Sequence, residues 1–166
     1  MRIVVFGTGG VGGYFGTRLA QAGSDVIFIA RGAHLAAMRD YGLHVASING
    51  DVRISPVQAT DDPAQVGPVD VVLLTTKTWQ VPDAAQAMQP LIGPETVVVP
   101  LLNGVEAPDQ LAKVLEPHNI AGGFCWIVSY IEGPGRIRHT GVDPIVTIGE
   151  LDGQRTPRME QLLAAF

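Results

Sequence analysis

The chain has 166 residues, which is enough for one domain with a hydrophobic core, and its formal net charge is -5. This acidic balance gives no reason to expect a nucleic-acid or membrane partner, so any site for an anion must be local. No apolar run reaches the ~20 residues of a membrane span and the first residues lack a signal-peptide pattern, which predicts a cytoplasmic protein.

The start of the chain predicts a strand, a glycine-rich loop and a helix. Ile3–Phe6 is continuously apolar, as in a central parallel strand covered on both faces. The glycines of the motif that follows allow a tight turn, the close approach of a pyrophosphate and close packing of the helix. The free amides at the start of the helix then face the pyrophosphate. The pattern predicts a phosphate site at Gly7, Thr8, Gly9, Gly10, Val11 and Gly12. Glycines that serve only a sharp turn are the alternative.

The residue that ends the second strand indicates which cofactor is preferred. Val11–Ala22 is predicted as a helix and Asp25–Ala30 as a buried strand, which completes a βαβ unit. A fold that prefers NAD places an acidic residue next, to hold the ribose 2′-hydroxyl, but Arg31 stands here. Because a guanidinium binds a 2′-phosphate bidentately, NADP(H) is predicted. An exposed arginine without a ligand is the alternative.

The next segment changes from helical to alternating periodicity. Ala33–Asp40 is predicted as a helix, and Leu43–Ile48 and Val52–Val57 flank Asn49-Gly50, the preferred pair of a type I′ hairpin turn. The hairpin is expected as an insertion at the margin of the sheet. Pro56 favours an edge strand.

Two further buried strands are expected to end at the same edge of the sheet. Val69–Thr75 is followed by Thr76 and Lys77, and the strand that begins at Thr96 leads to Asn103. Lys77 is either a phosphate or ribose contact or a solvated loop charge. The Asn103 amide suits a ribose hydroxyl or a substrate carbonyl, and a helix cap is its alternative.

The predicted class is α/β, a Rossmann-type, mostly parallel sheet with helices on both faces and antiparallel additions at its far edge. The remaining predicted elements are helices Pro82–Gln89, Glu106–Leu115 and Arg158–Phe166, a long strand Ile120–Ile131, and short strands Arg136–Thr140 and Ile145–Ile148. The last helix presents an apolar stripe without a partner, formed by Leu162, Leu163 and Phe166, and is expected to begin a connection to a further domain.

The other reactive or aromatic residues are assigned to packing. Cys125 lies in an apolar run and is predicted to be a buried structural thiol. Trp79, Trp126 and Tyr14 are expected to be packing residues, and stacking platforms for a ligand are the alternative. The histidines have no metal-ligand spacing, so no metal site is predicted.

The chain resembles the ketopantoate reductase family over essentially its whole length. The motifs that carry the resemblance are Gly7-Thr-Gly-Gly-Val-Gly12, Arg31-Gly32, Lys77-Thr-Trp-Gln80, Leu102-Asn-Gly104 and Arg138-His-Thr-Gly141. The family reduces 2-dehydropantoate with NADPH in pantothenate and coenzyme A biosynthesis. The resemblance implies that Gly7–Gly12 holds the pyrophosphate, that Arg31 and Lys77 lie near the 2′-phosphate, and that Asn103 reaches the nicotinamide ribose and the substrate.

The resemblance also implies that groups outside this sequence are needed for the reaction. The proton-donating lysine of the family lies in a helical C-terminal domain, beyond residue 166, so no catalytic residue is assigned within the chain. The resemblance is also compatible with a homodimer of the full-length protein. Two alternatives stay open: a related NAD(P)-dependent reductase or dehydrogenase of another keto or hydroxy acid, and a non-catalytic dinucleotide sensor.

Overall fold

The structure is a computed structural model that describes all residues from Met1 to Phe166. Its nine strands are β1 (Arg2–Phe6), β2 (Asp25–Ile29), β3 (Leu43–Ser47), β4 (Val52–Ile54), β5 (Gln58–Thr60), β6 (Val71–Leu74), β7 (Val97–Pro100), β8 (Ala121–Gly133) and β9 (Arg136–Glu150). Its five α-helices are α1 (Gly10–Gln21), α2 (Gly32–Tyr41), α3 (Val81–Ala87), α4 (Ala107–Leu111) and α5 (Pro157–Ala165). No helix is both long enough and apolar enough to cross a membrane.

A five-stranded parallel sheet in the order β5-β2-β1-β6-β7 forms the centre of the molecule. From β1 the chain moves outward to β2 and β5, then crosses back to β6 and continues to β7 on the other side. The order therefore reverses between β1 and β6, as in a doubly wound fold. The predicted Rossmann-type class is confirmed. Strand β5 was missed because Gln58-Ala-Thr60 is short and carries no apolar run.

Helices cover both faces of the parallel sheet, as its continuously apolar strands require. Val5, Phe28 and Leu73 belong to a buried cluster on one face, which includes residues of α1, α2 and α5. Alternate residues such as Val4 and Leu74 belong to a second cluster with α3 and α4. Because successive side chains of a strand point to opposite faces, each strand contributes to both clusters.

The remaining strands form a second, mixed sheet in the order β4-β3-β9-β8, in which β3 pairs antiparallel with β4 and parallel with β9, and β9 pairs antiparallel with β8. It meets the parallel sheet at the edge of β7 through a bridge between Val98 and Ile120. The two short strands predicted after Gly135 are one strand, β9. Its register against β8 shifts between Trp126 and Val128, so the predicted break is an irregularity within a continuing strand.

Helix α1 lies between the two sheets, and its glycines let both approach closely. A Cβ on Gly16 would lie 2.5 Å from the Phe28 ring in the parallel sheet. A Cβ on Gly13 would lie 2.6 Å from Ile137 of β9, in the second sheet. Real Cβ atoms do not approach this closely, so the glycines allow the backbone of α1 to contact side chains on both sides.

The β3–β4 hairpin forms as predicted, but its position and turn differ from the prediction. It belongs to the second sheet, where β3 pairs with β9. The Gly50 N–H donates to the Ser47 carbonyl at 3.1 Å, so Ile48 and Asn49 are the central turn residues, and neither has positive φ. The predicted type I′ turn is wrong, because that turn requires positive φ at both central residues. Pro56 lies outside any strand, since β4 ends at Ile54.

The last helix packs against the rest of the chain. Leu162 is fully buried in the cluster beneath the parallel sheet, and the Phe166 ring meets Phe15 edge to face at 5.7 Å. Arg158 donates two 2.7 Å hydrogen bonds to the Glu150 carboxylate on β9. The prediction of an apolar stripe without a partner is therefore wrong for Leu162 and for the ring contact of Phe166, whereas Leu163 is 56% exposed as the prediction implies. Sequence periodicity cannot identify the surface that receives a helix.

The aromatic residues divide between the interior and the surface. Tyr14 is buried as predicted and packs 4.6 Å from the His139 ring. His139 is also buried; its Nε2 lies 3.0 Å from the Val142 carbonyl and its Nδ1 lies 2.8 Å from Ser47 Oγ, which links β3 to β9. Trp79 is 78% exposed and Trp126 is 58% exposed, so the packing prediction is wrong for both.

Candidate functional site

A cleft of about 750 Å³ lies at the carboxyl ends of the parallel strands, where doubly wound folds bind their ligands. The segments that follow β1, β2, β6 and β7 form its floor, and β8 of the second sheet forms one wall. The predicted residues that line it are Gly7, Thr8, Gly9, Gly10, Val11, Arg31, Lys77 and Asn103. The fold thus brings together residues up to 96 positions apart, from Gly7 to Asn103. Gly12, the last glycine of the motif, does not line the cleft.

The glycine-rich loop is held in place by the neighbouring strand. Gly7 has φ +106°, and the N–H groups of Gly7 and Thr8 donate to the Ile29 carbonyl at 3.3 and 3.1 Å. A Cβ on Gly12 would lie 2.7 Å from Val5, which explains why a glycine is needed where α1 crosses β1. Gly9 is different, because a Cβ there would have no atom within 4 Å and would extend into the open space of the cleft.

The amino end of α1 is left without a side-chain cap. Gly9 is the N-cap residue, and the first turn contains no acidic side chain. The first helical amides have no acceptor within the helix, and the helix dipole adds partial positive charge at this end. This end of α1 is therefore suited to an anion in the cleft.

Two cations at the cleft have no partner within the protein. Arg31 follows β2 and Lys77 follows β6, and both side chains are exposed. Neither side chain makes an ion pair or a hydrogen bond, whereas Arg136, Arg138 and Arg158 each pair with a glutamate. Asp83 is the one carboxylate that lines the cleft, so in a chain of net charge -5 these two cations and the amino end of α1 still leave the cleft locally positive.

Asn103 lies at the cleft with its side-chain amide free. Its backbone carbonyl accepts a 2.8 Å hydrogen bond from Thr78 Oγ1, which joins the segments after β6 and β7. The N-cap residue of α4 is Glu106, so Asn103 does not cap that helix. The amide therefore remains available to donate and accept hydrogen bonds in the cleft.

His34 and Cys125 also line the cleft, although no pattern in the sequence indicated either as a site residue. His34 Nδ1 accepts the Gly135 N–H at 3.1 Å, and burial lowers the pKa of the imidazole. A neutral ring that accepts at Nδ1 carries its proton on Nε2. Cys125 is half-buried, which corrects the prediction of a buried thiol, and burial raises the pKa of its thiol. A raised pKa disfavours the thiolate, which is the nucleophilic form of the side chain.

The sheet order, the glycine-rich loop at the start of α1 and the cleft at the switch point define a Rossmann-type dinucleotide-binding domain. The family model that matches, over residues 3–153, is the ketopantoate reductase PanE/ApbA model. The chain belongs to the ketopantoate reductase family, whose members are dinucleotide-dependent oxidoreductases. It corresponds to the N-terminal domain of the solved structures of that family.

Individual relatives show the same correspondence. The chain is 34% identical over its full length to the uncharacterized oxidoreductase YkpB of Bacillus subtilis and covers 54% of that protein. The 2-dehydropantoate 2-reductase of Porphyromonas gingivalis superposes with a TM-score of 0.92 at 32% identity, over 99% of this chain and 60% of that one. D-mandelate dehydrogenase, solved with NADH and anilino(oxo)acetate, gives a TM-score of 0.86 at 28% identity, over 99% and 53%. The chain thus spans about half the length of these relatives.

Proposed function

We propose that residues 1–166 form the NADPH-binding domain of a reductase that converts 2-dehydropantoate to its 2-hydroxy acid. The observation that carries the proposal is the cleft, which joins the uncapped amino end of α1 to the unpaired side chains of Arg31 and Lys77. A dinucleotide with a diphosphate and a 2′-phosphate supplies anions for both positions. Membership of the ketopantoate reductase family supports the same reaction class.

The cofactor is proposed to lie across the strand ends. Gly7–Gly12 would hold the diphosphate, Arg31 and Lys77 would contact the 2′-phosphate, and Asn103 would contact the nicotinamide ribose and the substrate. In the bound complex NADPH supplies the hydride. The Asn103 amide is suited to donate to the keto oxygen and so to orient the carbonyl carbon toward the nicotinamide.

Turnover is proposed to require groups from outside these residues. Reduction of a ketone forms an oxygen anion that must receive a proton, and a positioned acid contributes about 10² to 10⁴ in rate. Arg31 cannot release its proton at neutral pH, and Lys77 is assigned to the phosphate end of the cofactor. The chain alone is therefore expected to bind NADPH without measurable reduction of 2-dehydropantoate.

A second candidate is a dehydrogenase of another 2-hydroxy acid. The likeness to D-mandelate dehydrogenase, whose structure contains NADH, is the observation that favours it. The two candidates differ in cofactor as well as substrate. Arg31 favours NADPH, because NADH has no 2′-phosphate for the guanidinium to bind.

The proposal is tested by calorimetric titration of the chain with NADPH and NADH. If Arg31 makes one charge-assisted hydrogen bond to the 2′-phosphate, worth about 1.5 to 3 kcal/mol, NADPH binds at least about tenfold more tightly than NADH. Arg31→Ala should remove most of that preference. Arg155→Ala is the matched control, because it removes the same charge from an exposed position outside the cleft.

Equal affinities of the wild type for the two cofactors would contradict the assignment of NADPH. So would an Arg31→Ala variant that retains the full preference. The same preparation, mixed with NADPH and 2-dehydropantoate, should not oxidise the cofactor. Turnover by the chain alone would locate a proton donor within residues 1–166.

A further inference from the structure

Buried polar atoms without hydrogen-bond partners are concentrated at the cleft. The buried side-chain polar atoms that lack a partner are Thr17 Oγ1, His34 Nε2, Thr76 Oγ1, Gln110 Oε1 and Ser129 Oγ. Three of these residues, His34, Thr76 and Ser129, line the cleft. Burial lowers the pKa of the His34 ring and a hydrogen bond with the Thr8 backbone raises it, which leaves Thr76 and Ser129 as the two cleft residues whose buried side-chain oxygens have no partner of any kind. A buried polar atom left unpaired costs roughly 1 to 3 kcal/mol, so such atoms in the wall of a cavity indicate a partner that enters the cavity.

Two adjacent threonines at the end of β6 have different surroundings. Thr75 Oγ1 donates to the Gly7 carbonyl at 2.7 Å and therefore supports the glycine-rich loop. Thr76 also packs against the loop, because a Cβ on Gly7 would be 2.9 Å from Thr76 Cγ2. Its hydroxyl, however, has no partner in the protein. Thr75 thus has a structural hydrogen bond, whereas Thr76 Oγ1 is buried without one and must turn toward the cleft to reach a ligand there.

Ser129 occupies the other side of the loop. It lies on β8, and a Cβ on Gly10 would be 2.7 Å from the Tyr130 nitrogen and even closer to the Ser129 carbonyl. This packing places β8 directly against the first helical residue of α1. Ser129 is among the residues that line the cleft, and its Oγ is buried and has no partner. A serine of the second sheet therefore stands beside the amino end of α1.

We propose that Thr76 and Ser129 bind the diphosphate of the dinucleotide through their hydroxyls, one from each side of the glycine-rich loop. The inference rests on the proposed function, in which the cleft holds NADPH. A hydroxyl can donate to a phosphate oxygen without adding charge, and it complements the amides of α1. The second sheet then contributes directly to cofactor binding, besides packing on α1. The diphosphate is common to NADPH and NADH, so these hydroxyls strengthen the binding of both.

The test combines thermal unfolding without ligand and calorimetric titration with NADPH and with NADH. Thr76→Val and Ser129→Ala remove the proposed hydroxyls with little change of shape. Thr75→Val removes a hydroxyl that has a protein partner. Thr17→Val removes a buried hydroxyl that also lacks a partner but lies outside the cleft.

Without ligand, Thr76→Val, Ser129→Ala and Thr17→Val should melt at the wild-type temperature or above it, because no protein hydrogen bond is lost. Thr75→Val should melt several degrees lower, since the Gly7 carbonyl loses its donor. In titrations, Thr76→Val and Ser129→Ala should each weaken the binding of NADPH and of NADH by about three- to tenfold. The ratio of the two dissociation constants should stay as in the wild type. Thr17→Val should bind both cofactors as the wild type does.

Three results would overturn the inference. Unchanged affinity in both Thr76→Val and Ser129→Ala would show that the hydroxyls do not touch the cofactor. A melting temperature lowered as in Thr75→Val would show that the hydroxyls have protein partners, and this result needs no ligand. A loss confined to NADPH would assign them to the 2′-phosphate. A wild-type chain that binds neither cofactor would instead overturn the proposed function itself.

Discussion

The two sheets of this protein are buried to different extents. In the parallel sheet, Val4, Val5 and Leu73 are fully buried, and the strands contribute to a core on each face. In the second sheet, Ile137 on the inner face is fully buried against α1, whereas Ile145 of the same strand is 57% exposed. The difference follows from connectivity. The parallel strands of the first sheet are joined by crossover connections whose helices cover both faces, whereas in the second sheet β3–β4 and β8–β9 are antiparallel pairs joined by short turns.

The outer face of the second sheet is apolar as well as exposed. The side chains at alternate positions of β8 that are about half exposed are Phe124, Trp126, Val128 and Tyr130. The residues of β8 between these positions point to the inner face, where they contact α1 or line the cleft. An apolar residue in a strand of this protein is therefore a reliable sign of burial only where helices cover both faces.

The largest expected effect tests the two faces of the second sheet. Ile137→Ala should lower the free energy of unfolding by about 2 to 5 kcal/mol, because it leaves a cavity against α1. Ile145→Ala makes the same chemical change on the exposed face of the same strand, and its effect should stay within about 0.5 kcal/mol. Urea unfolding measures both. Equal losses would mean that the outer face is buried in solution.

The next prediction compares a glycine that is needed for packing, in α1, with a glycine that is proposed to serve ligand binding, in the loop before α1. Gly16→Val should destabilise the protein by about 1 to 3 kcal/mol or more, because the new side chain meets Phe28 and Val5. Gly9→Val adds the same side chain where no atom lies within 4 Å, so the fold should persist. It fills the space assigned to the diphosphate, and NADPH binding should be lost.

Circular dichroism with a cofactor titration distinguishes the two glycine variants. A Gly9→Val protein that is folded and binds NADPH normally would mean that the glycines serve only the turn. A Gly16→Val protein as stable as the wild type would mean that α1 can move away from the parallel sheet at little cost.

The smallest effect concerns the attachment of α5 to the second sheet. The hydrogen bonds from Arg158 hold the pKa of Glu150 below its usual value, and Thr156 contributes another. The folded state therefore favours the carboxylate. The resulting stability is fully present above the unfolded pKa of about 4.3, and it is lost as pH falls through the lower folded pKa.

Glu150→Gln should therefore lower the free energy of unfolding by about 1 to 2 kcal/mol at neutral pH. The difference from the wild type should shrink as pH falls below about 4. Glu116→Gln is the control, because Glu116 is exposed and makes no ion pair. A difference that stayed constant with pH would show that the pairing with Arg158 does not stabilise the fold.

Local sequence signals determined the elements that build the cofactor-binding half of the fold. β1, β2, β6 and β7 are continuous apolar runs that only a sheet covered on both faces buries. The glycine spacing at Gly7–Gly12 requires a tight turn and a close helix. Once these strands are parallel neighbours, their carboxyl ends share one edge, and so Arg31, Lys77 and Asn103 meet at one cleft.

Tertiary structure decided the features that depend on distant partners. The short polar strand β5 forms because β2 offers it a free edge, and Leu162 is buried because the core receives α5. The exposure of Trp126 follows from its position on the outer face of the second sheet. The same holds for Thr75 and Thr76, which are identical in type and adjacent in sequence. Only the position of the Gly7 carbonyl gives one of them a partner and leaves the other buried without one.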